Sequence, residues 1–284
     1  MTDLDRLIAL LQERENRVRL APKPVPIVEL AEDKEHWMLS CLDYDDDPDS
    51  YSPVGPFLYI NEKKELLALA MDEYSIEEIN YVLDTIVNES VEERPIFPQL
   101  KLLALAGDGE SIEQISASLH EFSHIEYLGL RRMQLWELPD WLQDFKKLKE
   151  LRLEENDLTA LPEWIGEFEE LRVLSLRSNQ FNCLPDCVPT AILFGSLKVL
   201  MIDKNKLQTL PVWLRKYYPR EMLTIEGNPF ETISQTLLDL LEIISFTDNV
   251  HIADVPDDII QQGWKAVKHY YASLAGQANE GEQA

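Results

Sequence analysis

The sequence predicts an α/β solenoid: short parallel strands on a concave face, helical or 3₁₀ return turns on a convex face, and a helical cap at each end. Three observations carry this. First, the segments 125–139 (IEYLGLRRMQLWELP), 148–162 (LKELRLEENDLTALP), 171–185 (LRVLSLRSNQFNCLP) and 197–211 (LKVLMIDKNKLQTLP) fit one pattern, L-x-x-L-x-L-x-x-N-x-L-x-x-L-P. Second, the starts at 125, 148 and 171 are 23 residues apart, and the next step is 26, so the loop PDCVPTAILFGS carries a three-residue insertion. Third, residues 66–79 (LLALAMDEYSIEEI) and 102–115 (LLALAGDGESIEQI) agree at ten of fourteen positions at an offset of 36. A fixed period of this size means one supersecondary unit repeated along a stack, each copy burying its apolar face on its neighbours.

Within each copy the L-x-L alternation makes a short strand with its leucines turned inward. Asn156, Asn179, Asn205 and Asn228 follow the strands. A buried amide there can bond the backbone where the chain turns, and stacked amides form a ladder. Met133 interrupts that ladder, and Asp72 and Asp108 stand at the Asn position of the two upstream copies. On the return side Leu119, Phe122 and Ile125, then Leu142, Phe145 and Leu148, then Ile165, Phe168 and Leu171 recur by threes. That spacing puts apolar groups on one face of a helical or 3₁₀ turn.

The pattern fixes about seven positions in each copy, and with them the chain resembles the leucine-rich-repeat family. The resemblance implies a parallel sheet, a buried asparagine ladder and protein binding on the concave face. The expected organisation is an N-terminal capping region over 1–62, repeats over 63–231 (degenerate to about 99, regular from about 100), a helical cap over 232–275 and a disordered tail over 276–284. The N-terminal region has a helical stripe at Leu4, Leu7, Ile8 and Leu11, a proline-rich APKPVP linker, and an acidic loop. The C-terminal cap comprises two apolar helices, 232–246 and 255–274.

The second of these carries another resemblance. Pro256, Asp258, Ile259, Ile260, Gln262, Gly263, Ala266, Val267 and Tyr270 match the segment that joins the repeats to the GTPase domain in Roco-family proteins. No G-x-x-x-x-G-K-[ST] phosphate loop occurs in the sequence, so the resemblance implies a recognition module acting in trans, without nucleotide chemistry.

Composition narrows the function. Asp and Glu number 52 against 26 Lys and Arg, a net charge of −26. A nucleic-acid binder needs a basic footprint, and an anionic membrane surface needs the same, so neither partner is expected. Three cysteines, Cys41, Cys183 and Cys187, make a poor disulfide framework and suggest a reducing compartment. The N-terminus has acids where a secretory signal needs bases, and no apolar run approaches the roughly 18 residues of a membrane span. The expectation is a cytoplasmic, monomeric, non-enzymatic scaffold with a protein partner and no cofactor or metal.

Four clusters hold residue types capable of chemistry or binding. His120-Glu121-Phe122-Ser123-His124 is an H-E-x-x-H string, which on an α-helix would make a zinc peptidase site with Glu121 as base. The third ligand is missing, since position 130 is Leu, and the repeat register puts both histidines on a return turn. Asp43, Asp45, Asp47 and Asp49 alternate as in a cation loop, but Pro48 and Val54 stand where an EF-hand needs Gly and Glu. Cys183 and Cys187 have no partners for a metal set. Trp141, Trp164 and Trp213 share a register after a proline and read as packing between repeats.

The strand face remains. Residues between the inward leucines point outward, in columns Tyr127–Glu150–Val173–Val199–Met222, Gly129–Arg152–Ser175–Met201–Thr224 and Arg131–Glu154–Arg177–Asp203–Glu226. Arginine, tyrosine and methionine suit recognition surfaces. The expected partner-binding residues are Tyr127, Arg131, Arg132, Arg152, Val173, Arg177, Met201 and Lys204. The third column also reads as an internal ladder of opposite charges.

Overall fold

The structure is a computed structural model and describes residues 5–9, 11, 27–30, 57–61, 65–89, 97–109, 115–184, 197–210, 214, 222–230, 255–263, 265–271 and 273. The acidic loop at 43–49, the helix expected over 232–246, Cys41, Cys187, Trp213 and the tail lie outside these residues. The chain divides into two units, Met1–Asn156 and Asp157–Ala284.

Among the described residues the first unit holds six strands in chain order: β1 (Ile27–Leu30), β2 (Phe57–Asn61), β3 (Leu66–Tyr74), β4 (Leu102–Gly107), β5 (Tyr127–Arg131) and β6 (Glu150–Arg152). All neighbours are parallel except β2 and β3, which are antiparallel. Helix α1 (Ile76–Glu89) and the 3₁₀ turns η1 (Ala117–Phe122) and η2 (Asp140–Asp144) connect them. The second unit has turn η3 (Glu163–Glu167), parallel strands β7 (Val173–Ser175), β8 (Val199–Met201) and β9 (Met222–Thr224), and the short helix α2 (Asp257–Ile260).

The leucines dictate the strands. Leu128 and Leu130, Leu151 and Leu153, Leu174 and Leu176, and Leu223 and Ile225 are at most 1% exposed. The return turns follow the spacing by threes. Phe145 donates its N–H to Leu142 O at 3.1 Å, and Leu148 to Phe145 O at 3.1 Å, the i to i+3 bonds of a 3₁₀ turn. Leu142, Phe145, Leu148, Ile165, Phe168 and Leu171 are all fully buried. Truncating such a phenylalanine to alanine typically costs about 3–5 kcal/mol. Pro139 and Pro162 open η2 and η3 with φ of −69° and −71°, where a missing N–H costs nothing.

Helix α1 begins in a reciprocal cap. The Ser75 N–H donates to Glu78 Oε2 at 3.0 Å and the Glu78 N–H donates to Ser75 Oγ at 3.1 Å. Its buried side is Ile76, Ile79, Val82, Leu83 and Ile86. Asn80 and Asp84 then hold the next return turn: Ser116 donates its N–H to Asn80 Oδ1 at 2.7 Å and its hydroxyl to Asp84 Oδ1.

One expectation is corrected. The alignment of LLALA with LLALA sets Leu66 against Leu102, but the sheet sets Ala68 against Leu102 and Met71 against Leu105. A slip of two residues leaves each side chain on its face, so the apolar pattern is satisfied either way. Asp72 therefore stays inside β3 rather than at the turn, and Asp108, which does stand at the turn, is exposed.

Candidate functional site

The candidate site is the strand face, and its geometry is set by the turns that end each strand. In the second unit Asn179, Asn205 and Asn228 are 3–6% exposed. Each amide oxygen accepts an N–H from the preceding turn: Leu158 to Asn179 at 3.0 Å, Phe181 to Asn205 at 3.1 Å and Leu207 to Asn228 at 3.1 Å. Each amide nitrogen donates to its own repeat, and Asn205 and Asn228 also reach the previous one, at Leu176 O and Ile202 O, both 2.9 Å. Among the described residues the first unit has one such amide. Asn156 Oδ1 accepts from Met133 N at 2.9 Å and Leu135 N at 3.2 Å, while its Nδ2 donates to Leu130 O at 2.7 Å. Met133, the break in the pattern, is buried and served by the amide of the next turn.

The residue before each of these positions is left-handed: Arg132 (φ 51°), Glu155 (56°), Ser178 (53°), Lys204 (51°) and Gly227 (63°). Four of the five carry a Cβ, a conformation costing about 1 kcal/mol or more each. No residue type marked these positions in the sequence. The fold is that of a leucine-rich-repeat solenoid.

In the first unit the outward columns are Ala68–Leu102–Tyr127–Glu150 and Ala70–Ala104–Gly129–Arg152. Ala68 and Leu102 form a small apolar cluster, 0% and 1% exposed, against which Ala104 and Tyr127 pack. Glu150 and Arg152 face away from the leucine core and are nevertheless 1% and 8% exposed. The Arg152 Nε–H donates to Glu150 Oε1, and Nη1 lies 4.0 Å from Glu154 Oε1. The second oxygen of Glu150 is buried without a hydrogen-bond partner. Arg131 pairs through Nε and Nη2 with Glu155, and Arg132 is half-buried.

In the second unit Val173 and Arg177 are half-buried, Met201 is 1% exposed, and Lys204 is exposed. Asp203 is buried, accepting the Thr224 hydroxyl and the Glu226 N–H at 2.9 Å. Burial pushes its pKa above the ordinary carboxylate value, with the nearby Glu226 adding to the shift and the two hydrogen bonds and Arg177 opposing it. Tyr127, Arg131, Arg132, Val173, Arg177 and Lys204 thus keep some exposure, whereas Arg152 and Met201 are enclosed.

The H-E-x-x-H string does not form a site. It straddles the end of η1, a 3₁₀ turn whose three-residue period separates positions i and i+4. His120 Nε2 meets Asp144 Oδ2 at 2.9 Å, and His124 Nε2 meets Phe97 O at 3.1 Å. Among the described residues no group of three or more His, Cys, Asp or Glu could hold a metal, and no helix is long and apolar enough to cross a membrane. Trp141 and Trp164 lean on Phe145 and Phe168 with ring centroids 5.9 and 5.7 Å apart. Cys183 is an exposed thiol.

No family model matches the chain, and no curated protein matches it. Among solved structures it is similar to a leucine-rich-repeat protein of Leptospira interrogans, at 19% identity and a TM-score of 0.45, over 69% of this chain and 58% of that one. The chain therefore spans about 58% of that protein's length.

Proposed function

We propose that the chain is a non-catalytic protein-binding scaffold that receives its partner on the strand face of the repeats. The observation that carries this reading is where the basic side chains sit. In a protein of net charge −26, Arg131 and Arg132 stand at the end of β5, and Arg177 and Lys204 stand just past β7 and β8. The turns that present Arg132 and Lys204 are held by buried amides, so little conformational entropy is lost when a partner docks. Basic groups on a rigid backbone within an acidic chain suit an acidic protein surface, and the field of the rest of the molecule disfavours other approaches. Tyr127 and Val173 add apolar contact on their respective units.

The test is charge reversal at Arg132 and Lys204. Glu155 already occupies the same left-handed turn position, so glutamate is accommodated there. Affinity capture followed by reconstitution from purified components should show a stoichiometric partner that the Arg132→Glu, Lys204→Glu double variant loses while its melting curve stays that of the wild type. Retention of that partner by the folded variant would sink the proposal.

A second reading makes the chain a regulatory module of a Roco-like signalling system, acting on its effector in trans. It rests on the match of residues 256–270 to the repeat-to-GTPase segment of that family. Gly263, in the matched Gln262-Gly263 pair, has φ of +82° and lies between α2 and the helical residues 265–270. A glycine is required at that joint for conformational reasons, and Ile260 and Val267 on either side are buried. Co-purification of a small GTPase with the chain would support this reading; capture of partners without any GTPase would count against it.

A further inference from the structure

We propose that Trp136, with Glu137 beside it, forms a second contact point that binds a basic, arginine-containing segment of a partner protein. Trp136 lies off the strand face, on the turn that leads from β5 to η2. Trp136 is 60% exposed, the most exposed of the large hydrophobic residues described. The corresponding positions of the other repeats, Thr159, Asn182 and Gln208, are exposed and polar. The fold therefore accepts a solvated polar residue there, and tryptophan is not required by the repeat pattern.

The turn is rigid. Leu135, immediately before Trp136, donates its N–H to the buried Asn156 amide at 3.2 Å, and Met133 donates to the same oxygen at 2.9 Å. Leu135 and Leu138 are both buried on either side, and Arg132 and Gln134 are both left-handed, with φ of 51° each. The Gln134 side chain reaches across to the Gly109 carbonyl. An indole fixed at its base and open at its face is a preorganised contact, and tryptophan is the residue most enriched where binding energy concentrates.

The charge around it selects the partner. Glu137 and Asp140 follow it in the chain, and Asp108 stands beside Met133 in the neighbouring turn; all three are exposed. An exposed aromatic ring with acidic residues close to it in the chain and in the next turn suits a guanidinium, which can stack on the ring while its N–H groups meet an acid.

The experiment titrates the full chain with a dye-labelled, capped hexa-arginine peptide and follows fluorescence anisotropy. Wild type, Trp136→Ala, Trp136→Phe and Glu137→Gln are compared at the same ionic strength. Trp136→Ala leaves the net charge unchanged, so general attraction between a polycation and an acidic protein is the same in both. The expected result is about fivefold weaker binding for Trp136→Ala, a smaller loss for Trp136→Phe, and weakening for Glu137→Gln, with every melting curve matching wild type. Equal affinity of wild type and Trp136→Ala would overturn the proposal, as would a hexaglutamate peptide binding as tightly as hexa-arginine. If Trp136→Ala alone melted early, the folded Trp136→Phe variant would decide.

Discussion

The turns of the second unit and those of the first solve one problem in two ways. After β7, β8 and β9 an asparagine closes each turn, and its oxygen takes an N–H from the turn before it. After β4 and β5 the same position holds Asp108 and Met133, neither of which offers a buried amide. The Met133 turn is nevertheless satisfied, because Asn156 reaches back to it. The ladder thus serves backwards: each amide stabilises its predecessor's turn, so a gap in one repeat is filled by the next. The Asp108 turn has no such successor, since its neighbour is Met133. There the backbone itself closes in, and a Cβ on Gly107 would lie 2.4 Å from the Arg132 carbonyl oxygen. Gly107 lets the Arg132 carbonyl approach, and the Gln134 side-chain amide donates to the Gly109 carbonyl of the same turn.

The comparison can be broken most sharply at Asn156. Asn156→Leu should cost about 3–5 kcal/mol in urea unfolding, because it strands two N–H groups and at least one carbonyl in a buried turn. A loss no larger than that of an exposed substitution would show that the amide is not what holds the Met133 turn. Next comes Gly107→Ala. Forcing a methyl against a backbone carbonyl should cost about 1–3 kcal/mol, measured the same way, and unchanged stability would mean that the close approach is not needed there.

The smallest effect concerns Asp203, in the second unit. Its pKa is raised in the folded chain by burial. A raised value means that the folded state holds the proton more tightly than the unfolded state. That stability is present below the ordinary carboxylate pKa and is lost as pH rises through the raised one. Asp203→Asn can keep both hydrogen bonds, accepting from the Glu226 N–H and donating to the Thr224 hydroxyl. The variant should therefore gain on wild type as pH is increased from about 4 towards neutrality, read as a growing difference in urea midpoint. A difference that stays flat with pH would remove the burial penalty from the account.

The repeats were legible because leucine and asparagine leave chemical signatures. Leu128, Leu151, Leu174 and Leu200 are buried where the alternation put them, and Asn156, Asn179, Asn205 and Asn228 turned inward as the pattern required. What was not legible follows from symmetry and from indifference. Up to the irregularity after Met71, a slip of two between β3 and β4 keeps each side chain on its face, so hydrophobicity could not reveal it. The left-handed residue before Met133 and before the four asparagines is Arg, Glu, Ser, Lys or Gly in turn, which no residue preference would pick out. Alternation says which way Glu150 and Arg152 point, and is silent on whether that side is covered. For β3 and β4 a hint did exist: the unbroken LLALA runs suit strands buried on both faces, as Ala68, Ala70 and Leu102 are. The partner surface was legible only as a set of outward positions, of which Arg152 and Met201 proved enclosed.

The step from Leu171 to Leu197 is three residues longer than its neighbours, yet Val173 still pairs with Val199 and Phe181 still donates to Asn205 at 3.1 Å, the same length as Leu207 to Asn228 in the 23-residue step. Chain length is therefore held constant from strand to leucine-proline and left free from there to the next strand. The register of the stack is therefore measured by strand pairing and amide hydrogen bonds, and not by the number of residues between Leu184 and Leu197.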